Sequence, residues 1–418
     1  MEKFIIMGGN RLNGEITMQA AKNAILPLMS CCILCEREVV LHNCPPITDV
    51  RKMAEIIERM GGSVTFDGGD LKICCADIQP LAVDEKLTKS IRSSIFMLGS
   101  MLGRFKKAEI SYPGGCEIGK RPIDIHIAGL KELGVNINER SSYIECVGEN
   151  LHSGKVKLSF PSVGATENMI MAAVLTKGKT VIENAAREPE IVDLEKFINA
   201  MGGCVKGAGT PVITVTGVDK LNGVKFTPIG DRIAAGTYLT MCAACGGDIT
   251  VGNCFSSDLK AVTDALKVCG CHVEENDSSI RLVSSGKISS VPLLRTGPFP
   301  AFPTDMQPQF CALLSTADGT SLIEETVFEN RFKYVSQLEN MGADIALQGR
   351  RALVTGVREL RASIVSAEDL RGGAALITAA LKADGVSTVY GTQYIDRGYY
   401  RIEELLTTLG ADIVRVSC

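Results

Sequence analysis

The sequence predicts an α/β protein assembled from six copies of one supersecondary unit, and three observations carry that prediction. An amphipathic stretch recurs as MAEIIERM, HIAGLKEL, LEKFINAM, VTDALKVC, VSQLENM and RIEELLTTL. Each copy stops at a glycine (Gly61, Gly134, Gly202, Gly270, Gly342, Gly410), so the repeat is about 70 residues long. After each glycine the chain enters a short strand-like run: SVTF, VNIN, CVKG, HVEE, DIAL and DIVRV. A glycine just past the last periodic residue is the left-handed cap of a helix, and the alternation after it reads as strand.

Each unit also carries a second helix, beginning AAKNAIL, IRSSIFM, GATENMI, DRIAAGT, DMQPQFC and DLRGGAA. These stretches are apolar on both sides after the first turn, so they are expected to be buried, with the glycine-capped helices outside them. The unit is then roughly β, α, β, α, β, β, and three such units make a domain of about 200 residues. Gly217, Asn222, Gly223, Pro228 and Gly230 punctuate one stretch and place the break between two domains near Gly230.

Composition narrows the class of protein. A chain of 418 residues, 45% hydrophobic and 22% charged, exceeds a single core and predicts two or more domains. With 44 basic against 48 acidic residues, the net charge of −4 gives no field that would favour nucleic acid or an anionic membrane as partner. The start, MEKFIIMGG, has no long apolar core, and the longest apolar run, near Ala24 to Cys35, is broken by Pro27 and Ser30. That run is too short to span a bilayer, so a cytosolic protein is expected. Sixteen cysteines without a secretory signal fit a reducing compartment, and structural disulfides are not expected.

Most of those cysteines sit in apolar helical runs such as SCCILC and MCAACGG, where a free thiol is a small core hydrophobe. Cys116 differs by context. Its loop, Pro113 to Asp124, contains Gly114, Gly115 and Gly119, which suit a closing segment, while Lys120 and Arg121 favour the thiolate. That is the setting of a reactive thiol.

Cations form the second functional signal. Lys22 with Asn23, Arg92, Arg232 and Arg371 stand at the starts of buried helices, where free N–H donors and the helix dipole already favour anions. Arg121, Arg331 and Arg397 open the amphipathic helices of their units. Any one of them could be a solvated cap or a surface ion pair. Their recurrence at equivalent places in the unit points to a ligand with more than one anionic group, a phosphorylated substrate. Asp305, between Pro303 and Pro308 at the mouth of a buried helix, reads either as an N-cap or as a general base. There is no Walker loop and no G-x-G-x-x-G, and four histidines supply a metal site or a hydrolase triad poorly. The C-x-x-C runs at Cys32 to Cys35 and Cys242 to Cys245 lie in apolar helices and read as packing rather than zinc or redox sites.

Taken together, QAAKN (from Gln19), RSS (from Arg92), PGGCEIGKRPIDIH (from Pro113), FPSVGATEN (from Phe160), REPEIVD (from Arg187), FPTDMQ (from Phe302), ENRF (from Glu329), DLR (from Asp369) and IDRGY (from Ile395) closely resemble the UDP-N-acetylglucosamine 1-carboxyvinyltransferase family of enolpyruvyl transferases. The resemblance covers essentially the whole chain. It implies a two-domain inside-out α/β barrel built from six βαβαββ-like repeats, three per domain. The first domain would span residues 22–229 and carry the Cys116 loop; the second would combine residues 1–21 with 230–418, and the active site would lie in the interdomain cleft.

The resemblance implies transfer of the enolpyruvyl group of phosphoenolpyruvate to the 3-hydroxyl of UDP-N-acetylglucosamine, with no metal or organic cofactor. Cys116 would be the proton donor and the target of fosfomycin, and Asp305 the base for the sugar hydroxyl. Lys22, Arg121 and Arg397 would contact the phosphoryl group, and Arg331 and Arg371 the carboxylate. Asn23, Arg92, Pro122, Ile123, Asp124, Ile125, Ser162, Val163, Gly164, Val327 and Asp369 would bind the substrates or shape their site. Lys120 and Gly372 stand where the family more often has a small uncharged residue and alanine. Two rival readings are a sister transferase acting on shikimate 3-phosphate and an inactive paralogue that binds a nucleotide sugar.

Overall fold

The computed structural model describes residues 2–80, 95–111, 123–140 and 143–417. They form two compact units, one of residues 2–19 and 230–417 and one of the described residues from 20 to 229.

The repeat is visible in its helix ends. All six closing glycines are left-handed, with φ between 84° and 98°. At each one the glycine N–H donates to the carbonyl three residues back, and the next N–H to the carbonyl five back. Gly61 and Gly62 reach Glu58 and Ile57; Gly410 and Ala411 reach Thr407 and Leu406. This double closure satisfies the last carbonyls and needs a residue that tolerates positive φ. The amphipathic helices ahead of these glycines are Thr48–Arg59, Asp124–Glu132, Pro189–Ala200, Ser256–Val268, Val335–Asn340 and Ile402–Thr408. In the first, Val50, Met53, Ile56 and Ile57 turn inward at helical spacing.

The sheets follow one plan. Leu12–Thr17 runs parallel to Gly247–Gly252, which is antiparallel to Ser279–Ser284, itself antiparallel to His272–Glu275. The same order recurs in Leu293–Arg295, Thr320–Glu324, Arg351–Thr355 and Asp344–Gln348. In the third sheet of this unit, Ile364–Ser366 and Val386–Tyr390 are joined by Glu2–Met7, which pairs on its other side with Asp412–Ser417. The βαβαββ order is therefore real but not always local. Similarly, in the other unit Lys225–Phe226 lies parallel to Val39–Leu41, although some 180 residues separate them.

Each unit is centred on buried helices. Arg232–Cys245, Gln307–Leu314 and Leu370–Lys382 pack on one another in one unit; Met97–Phe105 packs on Lys22–Cys31 and Val163–Ala173 in the other. Helices hydrophobic all round can only be interior, and the sheets and amphipathic helices cover them. Buried hydroxyls on these helices return to their own backbone: Thr240 donates to the Gly236 carbonyl and Thr378 to that of Ala374. Two glycines set the closest approach. A Cβ at Gly99 would lie 2.4 Å from the Asn168 carbonyl oxygen, and one at Gly103 2.6 Å from that of Met171.

Candidate functional site

In the unit of residues 2–19 and 230–417, a 3-10 turn, Thr304–Met306, leads into the buried helix Gln307–Leu314. Its Asp305 caps neither. The Oδ1 atom accepts from Arg331 Nη2 at 2.7 Å, and Oδ2 accepts from Arg371 Nη2 at 3.0 Å and Nε at 3.3 Å. The N-cap reading of Asp305 is therefore replaced by an ion-pair role, because the turn aims the side chain across at two other segments. Side-chain exposure is 26% for Asp305 but 2% for Arg331 and 4% for Arg371. The carboxylate is the outward tip of a buried cationic base.

The rest of this cluster sits around that triad. Arg331 Nη2 also donates to the Thr304 carbonyl, 3.2 Å away, and the Thr304 hydroxyl donates to Glu325 Oε2 at 2.9 Å. The other Glu325 oxygen accepts the N–H groups of Val327 and Phe328 at 2.8 and 3.0 Å. Nearly inaccessible Glu325 thus joins the turn of Asp305 to the strand end of Val327. Asp369 is the N-cap of the helix Leu370–Lys382, accepting from the N–H groups of Arg371 and Gly372 at 3.0 and 2.9 Å. A Cβ on Gly372 would lie 2.7 Å from Asp369 Oδ2, so alanine here would crowd the cap. Burial opposes the charge of Arg371, but Tyr399 and Asp305 outweigh it and hold the guanidinium above its ordinary pKa. Asp231 caps the helix of Arg232, and the Arg232 guanidinium lies 5.8 Å from the Phe299 ring centroid. Arg331 and Arg397 do not begin helices: Arg331 lies in the turn before Val335–Asn340, and Arg397 between Thr392–Ile395 and Ile402–Thr408.

In the other unit, Lys22 opens the helix Lys22–Cys31, followed by Asn23, and its Nζ lies 2.8 Å from Asp49 Oδ2. Ser162 caps the helix Val163–Ala173, its hydroxyl accepting from the Ala165 N–H at 3.4 Å. Gly164 lies in that first turn, where a Cβ would sit 3.0 Å from His126 Cε1 and 3.1 Å from Phe96 Cε1. Asn168 fixes this histidine. Its Oδ1 accepts the Gly99 N–H at 2.7 Å, which leaves Nδ2 to donate to the Ile95 carbonyl and to His126 Nδ1 at 2.8 Å. The ring is then neutral at Nδ1, with its proton on Nε2. Ile123 precedes the helix Asp124–Glu132, and Asp124 Oδ1 accepts the Ile125 N–H at 2.9 Å. Arg92, Cys116, Lys120, Arg121 and Pro122 lie outside the described residues.

Sequence reasoning gave no role to Asp49, Thr304, Glu325, Asn168 or Tyr399. Thr304, Asn168 and Tyr399 stand inside the motifs that carry the resemblance, which was signal enough to ask what they bind; Asp49 and Glu325 had no local pattern to mark them. The described C-x-x-C thiols are packed in the interior. Cys32 donates to the Leu28 carbonyl, and burial pushes the Cys242 thiol up to about 12. None of the 14 described cysteines forms a disulfide, and among the described residues no helix is long and apolar enough to cross a membrane.

The profile of the EPSP synthase (3-phosphoshikimate 1-carboxyvinyltransferase) family matches residues 6–406. Over its full length the chain is 47% identical to UDP-N-acetylglucosamine 1-carboxyvinyltransferase 2 of Caldanaerobacter subterraneus subsp. tengcongensis, across 416 residues that cover 100% of both chains. The chain belongs to the UDP-N-acetylglucosamine 1-carboxyvinyltransferase family. A second member of the UDP-N-acetylglucosamine 1-carboxyvinyltransferase family, from Symbiobacterium thermophilum, is 47% identical over 99% of this chain and 95% of the relative. Among solved structures, the enolpyruvyl transferase NikO from Streptomyces tendae superposes with a TM-score of 0.88 at 21% identity, covering 100% of this chain and 99% of that one. EPSP synthase from Acinetobacter baumannii superposes at 0.76 with 18% identity, over 100% of both chains. These structures establish the enolpyruvyl transferase fold, the inside-out α/β barrel, for the chain.

Proposed function

We propose that this protein transfers the enolpyruvyl group of phosphoenolpyruvate to the 3-hydroxyl of UDP-N-acetylglucosamine and releases phosphate, the first committed step of peptidoglycan synthesis. The observation that carries the reading is full-length identity of 47% to a relative named for that reaction. The carboxylate of Asp305, fixed by Arg331 at 2.7 Å and Arg371 at 3.0 Å, supports it.

The chemistry divides among the residues as follows. Addition needs a proton on the methylene carbon of phosphoenolpyruvate while the sugar oxygen bonds to the neighbouring carbon. Cys116 supplies that proton, and Asp305 takes the one leaving the sugar hydroxyl. The tetrahedral intermediate carries phosphate and carboxylate on one carbon beside the new methyl group, and loss of phosphate with a methyl proton restores the double bond. Lys22, Arg121 and Arg397 would carry the phosphoryl charge, with Arg331 and Arg371 at the carboxylate. Asn23, Arg92, Pro122, Ile123, Asp124, Ile125, Ser162, Val163, Gly164, Val327 and Asp369 would hold or shape the sugar-nucleotide site. A neutral thiol is the required acid, so the bound anions would have to offset Lys120 and Arg121, which favour thiolate. In this reading the reaction proceeds in the cytoplasm and is blocked by fosfomycin alkylating Cys116.

Phosphate release from phosphoenolpyruvate is the deciding assay. Release that depends on UDP-N-acetylglucosamine, and that shikimate 3-phosphate does not elicit, is expected. Release with shikimate 3-phosphate alone would identify the sister transferase. Binding of the UDP-sugar without release would identify an inactive paralogue.

A further inference from the structure

Tyr399 lies two residues beyond Arg397, yet its phenol is buried at the meeting point of the three central helices of its unit. The hydroxyl lies 2.9 Å from Thr237 Oγ1, 3.3 Å from Gln309 Nε2 and 3.1 Å from Arg371 Nη1, one partner from each helix. The protons in this network can be assigned. Arg371 and Gln309 are donors here, so the phenol oxygen accepts from both and its own proton must go to Thr237. Thr237 can take it, because its hydroxyl already donates to the Ile233 carbonyl at 2.7 Å. Gln309 Nε2 also donates to Thr237 Oγ1 at 3.0 Å, and the guanidinium is held at one end by the phenol and at the other by Asp305 Oδ2.

We propose that Tyr399 is a positioning residue for the reaction: its hydroxyl fixes the Arg371 guanidinium against Asp305 and anchors the segment that bears Arg397 to the helical core. The inference rests on the transferase reading above. It gives the tyrosine of the IDRGY motif a role that acts through another side chain, since the phenol itself is buried. Deleting the oxygen leaves Arg371 Nη1 without its acceptor in a buried site, and the guanidinium turns toward whatever oxygen it can reach.

The test uses the full-length protein carrying Tyr399→Phe, with Thr237→Val to remove the acceptor of the phenol proton, together with the hydroxyl's contacts to Gln309 and the Ile233 carbonyl, and Thr237→Ser to restore them. The expected result for Tyr399→Phe is a fall in kcat of about tenfold or more, a raised KM for phosphoenolpyruvate, and an acid limb of the kcat profile displaced to higher pH. Thr237→Val should move the same quantities less, and Thr237→Ser should restore them. Unchanged kcat, KM and pH profile in Tyr399→Phe, whether or not its Tm falls, would overturn the proposal. A crystal structure of the Tyr399→Phe protein decides the matter independently of catalysis. Separation of Arg371 from Asp305 beyond hydrogen-bond reach supports the proposal, and an unmoved pair refutes it. Absence of UDP-sugar-dependent phosphate release in the wild type would instead sink the transferase reading, while the position of Arg371 in the variant crystal would still decide whether the phenol holds it.

Discussion

The ammonium of Lys22 and the carboxylate of Asp49 lie 2.8 Å apart, with side-chain exposures of 12% and 3%. The pair links the first residue of a buried helix to the first turn of the amphipathic helix Thr48–Arg59. An ion pair this withdrawn from water is costly to break from one side, because the surviving charge remains in a poor solvent. It also fixes where the lysine points.

Asp49→Ala should therefore reduce both stability and turnover. A loss on the order of 3 kcal/mol is expected in chemical denaturation of the unit that contains it. The KM for phosphoenolpyruvate should rise as the ammonium loses its fixed position. A denaturation midpoint and KM equal to those of the wild type would show that the pair neither stabilises nor orients.

Asp305→Asn keeps the shape of the side chain and removes its charge and basicity. Turnover should fall by about 100-fold or more, since an amide cannot take the proton of a sugar hydroxyl. The variant should also unfold more readily, with two buried arginines facing a neutral oxygen and an N–H group. Phosphate release at saturating substrates is the measurement, and turnover within threefold of wild type would remove Asp305 from the base role.

Cys116→Ser should abolish alkylation by fosfomycin, because a serine hydroxyl is far from ionised at neutral pH and is a poor nucleophile without an activating base. Intact-mass spectrometry reads the adduct directly. An adduct forming on the serine variant at the wild-type rate would place the modified residue elsewhere.

Glu167 yields a prediction about pH. Both of its carboxylate oxygens are buried without a hydrogen-bond partner, and burial, then Glu190 and Glu188, push its pKa well above the ordinary carboxyl value. The folded protein then holds a proton that the unfolded chain has lost. Stability at this site is intact below the unfolded carboxyl pKa and declines as pH rises toward the folded one, by as much as about 1.4 kcal/mol per pH unit. Glu167→Gln removes that decline. Relative to wild type, its Tm should improve as pH rises above the ordinary carboxyl range; a constant difference from pH 4 to pH 8 would mean the carboxyl titrates normally.

Local chemistry made the repeat legible. A left-handed cap after a periodic helix admits few residues other than glycine, so six such glycines at one spacing could be read without coordinates. Three asparagines, Asn43, Asn184 and Asn253, also adopt positive φ, each shortly after a strand, and this second mark of the repeat was not read from the sequence. Strand pairing between distant segments was invisible because nothing in Glu2–Met7 specifies Asp412–Ser417 as its neighbour. The residue types of the site could be read, but not the way they were spent. Arg331 and Arg371 looked like cations waiting for a ligand, whereas both grip Asp305 from 26 and 66 residues away. Such contacts depend on where a turn, a loop and a helix far apart in the chain come to rest, which no local pattern encodes.

The position of Glu2–Met7 in its sheet has a consequence for biosynthesis. Ribosomes emit this strand ahead of residues 20–229, yet both of its neighbours, Val386–Tyr390 and Asp412–Ser417, emerge only after them. In the interval residues 20–229 can complete a compact body of their own, while the leading segment trails with its edges unsatisfied. The closing of that sheet is thus a late event, and a ribosome stalled near residue 380 would hold the folded body of residues 20–229 tethered to an unfinished companion.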